Sequence, residues 1–231
     1  GSKMSKRDEG ASITSYIEHG YAPEAVLNYL ALLGWSPKDG REELSREELT
    51  TLFDLEKVHR KNAQFDIDKC MWLNGQHLMH MPRESFASRA LIYLSKHGFA
   101  HHRAESLPAI LDLMREKVRT FCELPSALAF FFESNFPVDA AASAKAFGNT
   151  QTLSHLQAVA DAFNSLEKWN ATGVEEALKR TAEKLGIKPI PLLLPIRVAI
   201  SGRAGGPSLY PVLEILGRDT CIQRLRAVSG R

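Results

Sequence analysis

Hydrophobic positions in this chain recur every three or four residues, and nowhere do they alternate one by one over the length of a strand. In "APEAVLNYLALLG" Pro23 opens a helical pattern and Gly34 closes it, with Val26, Leu27, Leu30 and Leu33 on one predicted face. "SREELTTLF" begins with Ser45 and Glu48 at capping-box spacing. "FDIDKCMWLNGQHLMHM" carries Ile67, Met71 and Leu78 at helical intervals, and its Asn74-Gly75 pair predicts a bend or a helix junction. Further helices are predicted in "PRESFASRALIYLSKHG", which runs to a Gly98 stop, in "ESLPAILDLMREKVRTF" and in "LPSALAFFF". "NTQTLSHLQAVADAFNSLEKW" is the longest amphipathic stretch, and "GVEEALKRTAEKLG" ends on a cation followed by glycine. "GPSLYPVLEILG" and "RDTCIQRLRAV" complete the series. The predicted class is all-α.

The composition shifts near 133–149, "ESNFPVDAAASAKAFGN", where small residues sit between Pro137 and Gly148. A boundary between two helical subdomains is expected there. At 231 residues with 44% apolar content the chain can bury cores of ordinary size. The longest apolar run, "IPLLLPIRVAIS", falls short of a bilayer span and holds two prolines and an arginine. Cys70, Cys122 and Cys221 are odd in number and widely spaced. That pattern argues against a disulfide framework or a zinc site, favours a reducing cytosol, and predicts three small buried hydrophobes.

Net charge is only +2, but it is unevenly spread. Residues 195–231 carry Arg197, Arg203, Arg218, Arg224, Arg226 and Arg231 against Glu214 and Asp219, with no lysine. The planar guanidinium fork matches phosphates and base edges, so this tail is either a nucleic-acid surface or a solvated helix face.

Hydrolytic and redox constellations are absent: there is no GxGxxG, no Walker sequence, no serine elbow and no HExxH. His77, His80 and Cys70 share a helical segment without a fourth ligand, so no metal site is predicted. The opening "KMSKRDEG" sets Lys3 and Lys6 about Met4 and Ser5, with Arg7 beside them. Paired ammonium groups on a loop suit a triphosphate, whose growing negative charge they neutralise.

"KMSKRDEGASI" resembles the KMSKS signature of class I aminoacyl-tRNA synthetases. "GYAPEAVLNYLALLGWSPKDGREELSREEL" is similar to the helical segment C-terminal to that signature in bacterial glutamyl-tRNA synthetases. "FDLEKVHRKNAQFDIDKCMWLNGQHL", "LMREKVRTFCELP" and "PIRVAISGRAGGPSLYPVLEILG" resemble, in order, three further blocks of that family. The likeness covers essentially the whole chain.

The resemblance implies a C-terminal fragment, 1–65 being the KMSKS loop and stem-contact segment and 66–137 and 138–231 two helical anticodon-binding subdomains. It implies a parent glutamate–tRNA ligase that activates glutamate with ATP and Mg2+ and transfers it to tRNA(Glu). Lys3, Ser5 and Lys6 are the implied catalytic residues and, with Met4, the ATP-binding ones. Lys117 stands where many members place an arginine that reads the third anticodon base, flanked by Arg115 and Arg119. Arg197, Pro207, Leu209 and Tyr210 match the segment that contacts the first anticodon bases. The fragment alone is expected to be inactive, monomeric, cytoplasmic, free of bound cofactor and away from membranes. The alternative, from another class, is a stand-alone helical RNA- or protein-interaction module.

Overall fold

The computed structural model describes residues 12–59, 63–98 and 105–229. Among these the chain is all-α, with thirteen α-helices, two single turns of 3₁₀ helix and no strand. It divides into two compact units, Gly1–His101 with Met114–Ala127, and His102–Leu113 with Leu128–Arg231.

The first unit contains α1 (Ile13–Glu18), α2 (Pro23–Gly34), α3 (Arg46–Leu52), α4 (Ile67–His80) and α5 (Arg83–Lys96). The α2–α4 pair forms its centre, where Tyr21, Val26 and Tyr29 pack with Cys70 and Leu73. The predicted apolar face of α2 is not the buried one. Leu27 and Leu30 are 45% and 39% exposed, while Asn28 is fully buried. Hydrogen bonding stabilises the Asn28 side chain there: its Oδ1 accepts from Leu44 N–H at 2.9 Å and from His77 Nε2 at 2.9 Å.

The Asn74-Gly75 bend does not form, and α4 runs unbroken through both residues. Asn74 is fully buried; its Oδ1 accepts from Ala22 N–H at 2.8 Å and its amide nitrogen donates to the Arg119 carbonyl. Two backbone groups from distant loops are satisfied by one side chain, which outweighs the local preference of Asn-Gly for a turn. Ile67, which shares a helical spacing with Met71 and Leu78, is 46% exposed, whereas Leu78 is fully buried. Cys70 is buried as expected, but Cys122 is exposed and donates weakly to the Glu18 carbonyl. The Ser45–Glu48 capping box is complete in both directions, at 3.1 and 2.8 Å.

Helices α6 (Leu107–Arg115) and α7 (Leu124–Phe132) contribute residues to both units. The second unit adds α8 (Ala140–Phe147), α9 (Thr150–Asn164), α10 (Ala171–Lys184), α11 (Ile190–Ser201), α12 (Leu209–Leu216) and α13 (Arg218–Ser229). Its main packing sets α9 against α13, burying Leu156, Val159, Ala160 and Phe163 with Cys221, Ile222 and Leu225. Each large apolar side chain among them contributes on the order of 1.5–3 kcal/mol relative to exposure. The small residues of 133–149 form α8, which is begun by the Asp139 side chain accepting from Ala142 N–H and sets Ala142 and Ala146 against Val198 of α11. Helix α11, the apolar "IPLLLPIRVAIS", is a core helix with Pro195 buried inside it. Among the described residues no helix is long and apolar enough to cross a membrane.

Candidate nucleic-acid interface

Lys3, Met4, Ser5 and Lys6 lie outside the described residues. The remaining predicted site residues fall into one set in each unit.

In the first unit, α6 stops at Arg115 rather than continuing through Lys117 and Arg119. The N–H groups of Lys117 and Val118 both turn back to the Met114 carbonyl, at 2.8 and 3.2 Å, and buried Val118 anchors the bend beyond them. Arg115 is half-buried, and its Nη1 donates at 2.8 Å to the carbonyl of Met81, the residue that caps the C-terminus of α4. Lys117 and Arg119 are exposed. The Arg119 backbone is held on both sides: its N–H donates to the Glu123 carboxylate at 3.0 Å and its carbonyl accepts from Asn74. Two exposed cations thus stand on a backbone fixed by hydrogen bonds.

In the second unit, Arg197 of α11 is half-buried and donates through Nη1 to the Pro207 carbonyl at 2.7 Å. Burial lowers its pKa from the ordinary guanidinium value. The turn 202–208 that it clamps begins at Gly202, whose φ of 72° lies in the left-handed region. A Cβ there would come within 2.5 Å of the Pro137 carbonyl, so only glycine fits. Pro207 and Leu209 point inward and are buried, while Tyr210 is half-exposed. The outer surface of the turn is therefore the chain at Ala204, Gly205, Gly206 and Ser208, with the Tyr210 ring beside it.

The arginine-rich tail is largely occupied by the protein's own carbonyl groups. Arg218 donates to the Leu166 carbonyl just beyond the end of α9. Arg224 donates to the carbonyls of Ile200, Phe130 and Glu133 at 2.6, 2.8 and 3.2 Å and lies 4.5 Å from the Phe136 ring centre. These carbonyls lie at the C-terminal ends of α11 and α7, where backbone acceptors lack helical partners and a cation is favoured. Arg226 pairs with Asp161 at 3.0 Å. Counting arginines therefore overstates the free positive charge of this segment.

Sequence reasoning also passed over a cation. Lys179 of α10, exposed and paired with Glu175 at 2.7 Å, belongs to the helix that packs on α12, the helix of Tyr210. Only the α10–α12 packing brings it to that region. Among the described residues no group of three His, Cys, Asp or Glu side chains is placed to hold a metal. His77 bonds Asn28, and His80 pairs with Glu43 at 2.8 Å.

Residues 85–229 match the family described as the anticodon binding domain, and residues 1–72 match the catalytic domain of class I tRNA synthetases (E and Q). A glutamate–tRNA ligase of Akkermansia muciniphila is 39% identical over 99% of this chain and 52% of its own length. One from Methylacidiphilum infernorum is 34% identical over 100% of this chain and 52% of its own length. A crystal structure of a glutamate–tRNA ligase from Elizabethkingia meningosepticum superposes with a TM-score of 0.80 at 31% identity, covering 93% of this chain and 42% of that one. The chain spans about half the length of the curated relatives it matches. The anticodon-binding match takes in more than half of the residues, and the chain belongs to the anticodon binding domain family, with its likeness to glutamate–tRNA ligases running over nearly all of its own length.

Proposed function

We propose that this chain is the tRNA-binding portion of an ATP-dependent glutamate–tRNA ligase, and that it binds the anticodon loop of tRNA(Glu). The observation that carries this is the anticodon-binding match over 85–229, which spans both sets of predicted contact residues. Sequence-specific RNA recognition works on splayed single-stranded bases, which need an aromatic or apolar shelf beside a cationic donor. Lys117 and Arg119, exposed on their fixed bend, serve the third anticodon base. The outer chain of 204–208 and the Tyr210 ring serve the first two. Arg115 and Arg197 hold backbone carbonyls and keep those surfaces in shape, and Pro207 and Leu209 seat the turn from beneath.

Residues 1–65 are then the ATP-loop and stem-contact segment, with 66–137 and 138–231 as the two anticodon-binding parts. Lys3, Ser5 and Lys6, with Met4, are assigned to the phosphates of ATP, which with Mg2+ supplies the energy for glutamate activation. We assign the chain to the cytoplasm, as a monomer.

The direct test is binding of a 17-nucleotide anticodon stem-loop to the 231-residue chain across a salt series. Saturable binding that weakens steeply with salt and prefers glutamate-type loops is the expected result. Binding indifferent to the anticodon bases, or no binding at low salt, would overturn the proposal. The same 231 residues are expected to show no glutamate-dependent ATP–pyrophosphate exchange, because the catalytic-domain match is confined to residues 1–72. Exchange above background in a clean preparation would contradict the assignment of the catalytic chemistry to a larger protein.

A further inference from the structure

Helices α10 and α12 lie side by side, and two hydrogen bonds fix their register. Trp169 Nε1 donates to the Leu213 carbonyl at 3.1 Å, and Ala171 N–H at the start of α10 donates to Glu214 Oε2 at 3.2 Å. The helices run in opposite directions, so one turn forward from Ala171 and one turn back from Glu214 set Glu175 beside Tyr210. Each step covers about 6 Å. Lys179, one turn further along α10, is close enough to the start of α12 for its charge to act on the Tyr210 hydroxyl. The Tyr210 hydroxyl answers to this neighbourhood: burial raises its pKa, the Glu175 charge raises it further, and the Lys179 charge lowers it.

Two of the cations around this turn differ in what they can do. Arg197 is half-buried and bound to the Pro207 carbonyl, so releasing it would undo the turn. Lys179 pairs with Glu175, one helical turn earlier on the same helix, with side chains 55% and 38% accessible. Such a pair contributes about twofold to an equilibrium constant and is readily exchanged. Lysine's compact point charge suits a phosphate oxygen.

We infer that Lys179 contacts a backbone phosphate of the single-stranded RNA lying on the 202–208 turn, and that Glu175 is the internal competitor which this phosphate displaces. The inference rests on the RNA-binding reading above. Glu175 acts as a brake: it occupies the cation in the free protein and weakens association with any polyanion that does not reach the turn.

The experiment titrates the full chain and its variants with a labelled anticodon stem-loop carrying glutamate-type loop bases, at several salt concentrations. Lys179→Ala is expected to bind about three- to fivefold more weakly at low salt and to lower the salt slope by about one unit. Lys179→Arg should keep the slope. Glu175→Gln is expected to bind about two- to threefold more tightly. The Glu175→Gln/Lys179→Ala double variant should match Lys179→Ala alone, since Glu175 works only through Lys179. A Glu175→Gln gain that survives in the double variant, or a Lys179→Ala slope equal to that of the unsubstituted chain, would overturn the inference. If the unsubstituted chain fails to bind the stem-loop, the RNA-binding reading itself falls. If it binds and all variants behave alike, only the role of this ion pair falls.

Discussion

The guanidinium of Arg197 donates to the carbonyl oxygen of Pro207 across 2.7 Å, joining the middle of α11 to the last residues of the turn that precedes α12. A hydrogen bond from a charged donor to a half-buried carbonyl contributes on the order of 1–2 kcal/mol. Arg197→Ala should therefore lower the stability of the second unit by about that much and weaken stem-loop binding more than Lys179→Ala does. Urea unfolding and the RNA titration check the two halves of this statement. A variant of unchanged stability that loses only RNA affinity would show Arg197 to be a direct contact rather than a clamp.

Lys117 is exposed on the bend after α6, where its backbone N–H donates to the Met114 carbonyl. Lys117→Ala should leave stability within about 0.5 kcal/mol of the parent. It should weaken anticodon-loop binding by about 1 kcal/mol, and the loss should depend on the third anticodon base. Stem-loops differing at that base alone provide the measurement. An equal loss for every loop, with a salt slope lower by about one unit, would reassign Lys117 to a phosphate.

Asn74 satisfies the Ala22 N–H and the Arg119 carbonyl from the middle of α4. Asn74→Ala leaves both backbone groups without that partner in a buried site and should cost about 1–3 kcal/mol. Because the Arg119 carbonyl is one of the ties on the bend carrying Lys117, RNA binding should fall as well. Chemical unfolding monitored by far-UV circular dichroism gives the first number. Wild-type stability in Asn74→Ala would mean that water replaces the amide at no cost.

His77 of α4 is half-buried, and its Nε2 proton is committed to Asn28 Oδ1 of α2. Burial holds its pKa below the ordinary histidine value of 6.5, with the charges of Glu43 and Glu24 pulling the other way. The unfolded chain then binds the proton more readily than the folded one. The stability contributed by neutral His77 is full above about pH 6.5 and is lost as pH falls through the folded value. The first unit should accordingly weaken as pH falls below about 6.5, and His77→Gln should flatten that slope. Imidazole chemical shifts followed by NMR would give the folded pKa, and a value above 6.5 would contradict this account.

Several features were legible in the sequence because their causes are local. The Ser45–Glu48 box closes within three residues, as the spacing required. Gly98 and Gly186 come after α5 and α10 with positive φ, where the chain had to leave a helix. The all-α class rests on a periodicity that recurs along the sequence, and the collinear blocks of family resemblance identified the kind of protein before any contact was known. Other features depend on partners that the sequence does not place. Asn74-Gly75 looks like a turn until residues 22 and 119 arrive to bond with it. Leu27 and Leu30 read as core until α4 covers the Val26–Tyr29 side of α2 instead. The arginines of the tail read as either a nucleic-acid surface or a solvated helix face until the ends of α7, α9 and α11 supply carbonyls for Arg224 and Arg218. Lys179 became a candidate only when α10 packed antiparallel to α12. Periodicity and caps are set by neighbours three or four residues apart, so the sequence by itself determined the helices and the family. Which face is buried and which cation stays available are set by groups dozens of residues away, and those choices were made only by the tertiary structure.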